Sequence, residues 1–144
     1  MDKSILTQIN STRIEIKELK EKLDEINQKP IKIVTDSVRG SSRNYPYVEH
    51  NCIIEGIDEQ KVISNKRNRN KYKKLIKSRE LKLEKLIVKL EYELNHIEDS
   101  DIRRIMQYRY EDELNWVQIM FKMEYNSEST ARMKHDRFLE NLQP

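Results

Sequence analysis

The spacing of apolar residues predicts two long helices that pair with each other. In residues 3–28 a seam position recurs at alternating spacings of four and three, and Glu and Lys fill most of the positions between. The seam positions are Ile5, Ile9, Thr12, Ile16, Leu19, Leu23 and Ile26. A second seam, in residues 58–97, consists of Tyr72, Ile76, Arg79, Leu83, Leu86, Leu90, Glu93 and Ile97. This rhythm is typical of a coiled coil, in which polar seam residues such as Arg79 and Glu93 fix the register.

Residues 30–57, between the two predicted helices, cannot be helical. Both glycines and two of the three prolines of the chain lie there. The segments 31–35 and 51–55 are rich in β-branched and apolar residues, which favour strands. We predict a two-stranded hairpin with a long irregular tip. Because an isolated hairpin is marginally stable, it needs the helix ends or a partner to pack against.

The last forty residues predict three short helices that end in a helix-turn-helix. Within residues 102–142, Asn115 can cap the middle helix and Gln118, three residues later, completes a capping box. Either Asn126 or Ser127 can cap the third helix, which begins about four residues after the second ends. So short a turn between two helices places the second one in the major groove of DNA. Double-stranded DNA is therefore the first candidate partner.

One side of the third helix must face the core, since a helix turns about 100° per residue. The core spacing selects Ala131, His135, Phe138 and Leu142. The remaining surface carries the candidate DNA contacts, which are Ser127, Ser129, Thr130, Arg132, Met133, Lys134, Asp136 and Arg137. Arg132 is the candidate for reading guanine through paired N–H groups. Ser129 and Thr130 are placed to bond a base or a phosphate, and Lys134 and Arg137 to bond phosphates.

The net charge of +3 is distributed unevenly along the chain. Residues 61–89 hold twelve Lys or Arg and two Glu, a balance of +10, whereas residues 100–144 hold seven basic and eight acidic residues. The helix-turn-helix domain therefore has too little positive charge to bind a phosphate backbone by itself. The basic helix can supply it through auxiliary contacts at Lys66, Arg67, Arg69, Lys73 and Lys77. The alternative is that its charges are the solvated face of a coiled coil.

Other features narrow the function further. The single cysteine, Cys52, allows no intramolecular disulfide, and no apolar run approaches the ~20 residues of a membrane span. The first residues do not have the pattern of a signal peptide, so we expect a cytoplasmic protein. His50 and Cys52 have no second pair at metal-binding spacing, and we expect no metal or cofactor. Without a glycine-rich phosphate loop or a nucleophile motif, catalysis is not expected.

The predicted fold is mostly α: a long antiparallel coiled-coil helix pair with a small β-hairpin insert, followed by a three-helix helix-turn-helix domain. Its four segments are the first coiled-coil helix 1–29, the insert 30–57, the basic second helix 58–98 and the helix-turn-helix domain 99–144. At ~1.5 Å per residue the second helix exceeds the first, so its C-terminal part is expected to lie unpaired. A second copy of the chain, which would make a homo-oligomer through the coiled coil, or the C-terminal domain could cover it.

One series of residues resembles a known family. The series is Arg109-Tyr110, Leu114-Asn115-Trp116, Ile119 and Ser127-Glu128-Ser129-Thr130-Ala131-Arg132. Over about forty residues it resembles the region-4 helix-turn-helix of sigma-70-type factors. The chain differs from that pattern in a turn that is one residue longer and has no glycine, and in having His135 where leucine is usual.

With the insert segments 36–42 and 45–47, the whole chain resembles phage-encoded late-gene regulators of the RinA and ArpU type from Gram-positive hosts. The resemblance implies a DNA-binding transcriptional regulator, an activator of late genes, with host RNA polymerase as a further partner. Two other functions stay open. One is a small-terminase-like protein that recognises a DNA packaging site, and the other is a coiled-coil adaptor that binds protein and not DNA.

Overall fold

The computed structural model describes residues 1–142 and confirms the mostly helical fold. Its elements are α1 Lys3–Gln28, β1 Ile33–Ser41, β2 Glu49–Ile57, α2 Glu59–Leu94, α3 Ser100–Tyr110, α4 Trp116–Met123 and α5 Glu128–Asn141. The chain divides into two compact units that differ from the four segments expected from the sequence. The first unit is Met1–Glu18 together with the chain from Ile76 onward, and the second is Leu19–Leu75.

Helices α1 and α2 pack together in antiparallel directions, as predicted. In the first unit, Ile5 and Ile9 of α1 share a buried cluster with Leu90 of α2. Ten residues further along α1, Glu15 Oε1 accepts a hydrogen bond of 2.6 Å from Arg79 Nε. Later residues of α1 thus meet earlier residues of α2. Every predicted seam position on both helices is buried or half-buried, which confirms both seams.

The C-terminal part of α2 is not left unpaired, so that expectation was wrong. Leu90 is 1% exposed because the first turns of α1 lie against this end of α2 and not against the other. Of the two candidate covers, the C-terminal domain also contributes: Met106 and Tyr110 of α3 complete the cluster, and Leu139 of α5 packs against it. An oligomer of this chain would therefore need a surface other than this seam.

The three short helices α3, α4 and α5 enclose a second cluster in the first unit. Ile105, Ile119 and Ala131 come from the three helices in turn and are fully buried, and Met123 is nearly so. Half-buried residues pack around them, namely Tyr108, Leu114, Trp116 and Tyr125. This cluster holds the turn between α4 and α5, so that the geometry of the helix-turn-helix is fixed by packing.

The second unit contains the predicted hairpin, which is longer than expected. β1 and β2 are antiparallel over nine residues each, in a register that runs from Ile33 opposite Ile57 to Ser41 opposite Glu49. The tip is therefore only residues 42–48, closed by a 3.0 Å bond from the Ser42 amide to the Val48 carbonyl. The sequence underestimated the strands because residues 36–41, apart from Val38, are polar or glycine and show no apolar alternation.

No helix within residues 1–142 is both long enough and apolar enough to cross a membrane.

Candidate nucleic-acid interface

The start of α4 is fixed by a capping box, as predicted. The Asn115 side chain accepts a hydrogen bond from the Gln118 amide, and the Gln118 side chain accepts one from the Asn115 amide, both at 2.9 Å. Two backbone donors that a helix start would otherwise leave without partners are thereby satisfied. The capping box thus lets α4 begin at Trp116, only two residues after Leu114, which packs against the core.

The turn between α4 and α5 begins with a left-handed residue. Glu124 has φ 56° and ψ 35°, and its amide donates to the carbonyls of Met120 and Phe121. Glycine usually occupies such a position because any other side chain is strained there. Of the two residues considered as the cap of α5, Ser127 is the one used, and its side chain accepts from the Ser129 amide.

Helix α5 has the two faces that the spacing predicted. Ala131 is fully buried and His135 is 6% exposed, while Phe138 and Leu142 are half-buried on the same side. On the other side, five of the candidate DNA contacts are exposed, namely Ser129, Arg132, Met133, Asp136 and Arg137. Ser127, Thr130 and Lys134 are half-buried. The helix therefore presents a polar face on a scaffold that is fixed from behind.

Two arginines on the exposed face of α5 are available for an external ligand. Within residues 1–142, Arg132 and Arg137 have neither a hydrogen-bond nor an ion-pair partner. A guanidinium carries five N–H donors in a planar fork that matches guanine edges and phosphates. These donors face solvent here. Contact of either residue with DNA stays a prediction.

Lys134, a predicted phosphate contact, already has partners inside the chain. Its ammonium donates to Asp101 Oδ2 at 2.7 Å and to the Tyr125 hydroxyl at 3.0 Å, and that hydroxyl donates to the same carboxylate at 3.1 Å. The hydrogen bonds from Lys134 and Tyr125 lower the pKa of Asp101, and those with Asp101 and Tyr125 raise the pKa of Lys134. The network joins the first turn of α3 to α5, a link across 33 residues that local spacing could not predict.

His135 is held by hydrogen bonds in the core. Its Nδ1 lies 2.9 Å from Asp136 Oδ1, and its Nε2 lies 3.0 Å from the Tyr110 hydroxyl. A carboxylate can only accept, so in the neutral ring Nδ1–H donates to Asp136 and Nε2 accepts from Tyr110. Burial raises the pKa of Tyr110. The Asp136 carboxylate is consequently bonded to its own helix, which reduces its availability to a base.

Arg109 and Trp116, two residues of the sigma-like series, stabilise the domain directly. Arg109 Nη1 donates to the Leu114 carbonyl at 3.0 Å, and its guanidinium lies 4.9 Å from the centre of the Trp116 ring. The Trp116 ring in turn meets the His135 ring edge-on at 5.1 Å. These contacts orient the start of α4 against α5. The series therefore reports on the architecture of the domain more than on the residues that would touch DNA.

The predicted auxiliary contacts on α2 are mostly open to solvent. Lys66, Arg67, Lys73 and Lys77 are exposed, whereas Arg69 is half-buried. Position 69 continues the seam, and the Arg69 Nε is out of contact with solvent without a hydrogen-bond partner within residues 1–142. Arg69 is therefore the member of this set least able to reach a phosphate.

Further basic residues on α2 were not singled out from the sequence. Lys82, Lys85 and Lys89 are exposed in the first unit and recur at spacings of three and four, which places them on one side of the helix. In the second unit Lys71 and Lys74 do the same together with Arg67, which the sequence had already singled out. Plotting the charges at helical spacing would have found both groups, because every member lies off the seam.

No group of three or more His, Cys, Asp or Glu side chains within residues 1–142 is arranged to hold a metal ion. No protein-family model matches the chain, and no curated protein or solved structure matches it either.

Proposed function

We propose that the chain is a DNA-binding transcriptional regulator in which α5 enters the major groove. The observation that supports this most is the pairing of two features of α5. Its inner side is locked into the core through Ala131 and His135, and its outer side presents Arg132 and Arg137 without internal partners. A helix held in this way behind a short turn is the arrangement by which a helix-turn-helix reads base edges.

In this proposal the residues of α5 have different roles, which depend on where each side chain lies along the helix. Arg132, in the second turn of the helix, donates to guanine O6 and N7, and Ser129, one turn earlier, bonds a neighbouring base or phosphate. Arg137 lies more than a turn further along and contacts a phosphate. Lys134, bound to Asp101, has a mainly structural role.

In this proposal α2 provides the binding to the phosphate backbone. Residues 100–144 carry seven basic against eight acidic residues, too little charge to attract a polyanion, whereas residues 61–89 carry +10. Each phosphate that a lysine or arginine neutralises steepens the salt dependence of binding by about 0.9. We propose the bacterial cytoplasm as the compartment, phage late promoters as the targets and host RNA polymerase as a second partner.

The test is fluorescence anisotropy of the purified chain with labelled phage late-promoter fragments, titrated with salt. We expect one fragment to bind more tightly than scrambled DNA of equal length. We expect Arg132→Ala to weaken that fragment by roughly 5- to 150-fold, about 1–3 kcal/mol, and to relax the preference at one base pair. Arg43→Ala, which removes the same charge from the hairpin tip, is the matched control and should change binding little.

Binding of every fragment at the non-specific level would contradict the proposal. Genome-wide mapping of bound DNA in the host then distinguishes the other functions. Occupancy of a single packaging site, together with a closed ring of many copies by light scattering, would assign a small-terminase-like protein. A chain that occupies no site and works equally well as Arg132→Ala would be a protein-binding adaptor.

A further inference from the structure

The β-hairpin has one face that carries both glycines of the chain together with three exposed apolar side chains. Strand alternation and the register place eight residues on this side, which we call the glycine face: Val34, Asp36, Val38 and Gly40 of β1, and His50, Cys52, Ile54 and Gly56 of β2. Val34, Val38 and Ile54 are 47%, 42% and 51% exposed. All buried residues of the described chain lie in the first unit, and no side chain of the second unit is buried. The hairpin thus has no core of its own.

Both glycines of the protein lie on this face, and the chain itself does not require either of them. Neither has a positive φ. A Cβ at Gly56 would have no atom within 4 Å, and one at Gly40 would lie in ordinary contact, 3.5 Å from Cys52 Sγ. Glycine inside a strand costs about 0.5–1 kcal/mol relative to alanine. Glycine at these two positions can instead serve to let another backbone or side chain approach closely.

We propose that the glycine face is a dimer interface, on which the hairpin of a second copy of this chain packs. The first argument is self-complementarity. If the two-fold axis runs along the strands, Val34 lies over Gly56 of the second copy and Gly40 lies over its His50. If the axis runs across the strands, Val34 lies over Gly40 of the second copy and Gly56 over its His50. In both cases each glycine receives a larger side chain.

Charge also favours a second copy over nucleic acid. Residues 33–57 contain two Arg and three acidic residues, and the glycine face itself contains only Asp36 as a fixed charge. A ribbon that lies in a DNA groove needs an excess of positive charge, which is absent here. A largely apolar strip whose glycines can receive larger side chains can pack against the same strip on another molecule.

The size of the face predicts a weak dimer. Nine residues at ~3.3 Å and two strands at ~4.8 Å give a strip of about 300 Å² per copy, or about 600 Å² for the pair. Stable interfaces bury roughly 1,200–2,000 Å² in total. Free protein should therefore dimerise only at high micromolar concentration. If the proposed function holds, two adjacent half-sites on DNA would raise the effective concentration and complete the dimer.

The test is sedimentation velocity of the full chain at rising protein concentration. We expect the wild type to shift from monomer to dimer, and Cys52→Lys to weaken the dimer at least about tenfold because it places a charge over Val38 or Ile54 of the second copy. The matched control is Ile53→Lys, at the neighbouring position on the opposite face, where Ile53 is 71% exposed. It should dimerise as the wild type does.

A second variant separates interface from folding. Gly56→Val adds a β-branched side chain where the chain has open space, so the circular dichroism and the melting temperature should be kept or raised while dimerisation is lost. Cys52, the one cysteine of the sequence, lies on the same face and provides a second readout. A short bis-maleimide should link two copies of the wild type and of Ile53→Lys, and should not link two copies of Gly56→Val.

A wild type that stays monomeric at every concentration and gives no cross-link would overturn the proposal. So would a dimer that survives both Cys52→Lys and Gly56→Val, since it would use another surface. A monomer whose Gly56→Val variant loses an interaction with RNA polymerase would assign the face to that partner instead. Binding to a DNA fragment with one half-site does not need the dimer, so failure here is distinguishable from failure of DNA reading.

Discussion

A glutamate at position 124 occupies the left-handed backbone region that ends α4, at some cost to stability. Its side chain is exposed, so nothing in the fold requires it there. We expect Glu124→Gly to raise the free energy of unfolding by roughly 0.5–1 kcal/mol, because glycine adopts this conformation without strain. Urea denaturation measures the change. Glu21→Gly, at an exposed position well inside α1, is the control and should lower stability by about 1 kcal/mol.

The pair Tyr110 and His135 gives a second prediction at this scale. Replacing His135 by leucine, an apolar residue of similar size, removes the acceptor of a hydroxyl on a side chain that is 5% exposed. We expect His135→Leu to cost about 1–3 kcal/mol, the penalty of a buried donor without a partner.

The double variant His135→Leu with Tyr110→Phe removes that hydroxyl and should recover much of the loss. A urea-denaturation double-mutant cycle checks this. If the two single losses simply add in the double variant, the hydrogen bond is not what makes His135 necessary.

Single residues were predictable from the sequence where a helix repeat decided their direction. Arg132 and Met133 had to face outward once Ala131 was assigned to the core, and both are exposed. Lys134 was assigned to DNA for the same reason, but the spacing cannot reveal that Asp101, in another helix, is within its reach. Periodicity gives a direction, whereas a partner depends on tertiary packing.

At the scale of elements, the Asp101–Lys134 ion pair holds α3 against α5 and makes stability depend on pH. The pKa of Asp101 is lowered from 3.8 in the folded chain, so its contribution is complete above about pH 4 and is lost as the pH falls through the folded pKa. The pKa of Lys134 is raised, so its contribution persists through neutral pH and is lost only in strong alkali.

We therefore expect Asp101→Asn to destabilise the protein at pH 7 and to lose that difference at low pH. Since the two side chains are 39% and 42% exposed, solvent screens the pair and the difference should be only about 0.2–1 kcal/mol. Urea midpoints at the two pH values measure it. Glu140→Gln, which removes an exposed carboxylate from α5, should show no such dependence.

The elements themselves were predicted well where a repeat was long. The seams fixed α1 and α2 to within four residues of their observed ends, and the capping box fixed the start of α4. The hairpin strands were underestimated because residues 36–41 carry no apolar alternation. The C-terminal domain was one of two predicted covers for Leu90, but the cover by the start of α1 was not predicted, because Ile5 reaches Leu90 from a distant part of the sequence.

For the whole molecule, the proposed grip of α2 on DNA predicts a measurable salt effect. Changing Lys66, Lys73 and Lys77 together to glutamine should lower the slope of log binding constant against log salt by up to about 2.7, if all three contact phosphates. The comparison is the triple change of Lys17, Lys22 and Lys29, which are exposed and lie outside α2. That variant loses the same charge, so an equal fall in slope would show general attraction and not contact through α2.

The buried cluster that joins the start of α1 to the end of α5 also dictates when the protein can first act. During synthesis Ile5 leaves the ribosome early, while Leu139, which packs against the same cluster, follows about 130 residues later. Until then α1 is covered by α2 and α3 alone, and the cluster lacks the side chains of α5. If the proposed function holds, growing chains should not yet bind DNA specifically, and competence to read DNA should arise in one late step, after residue 139 has left the ribosome.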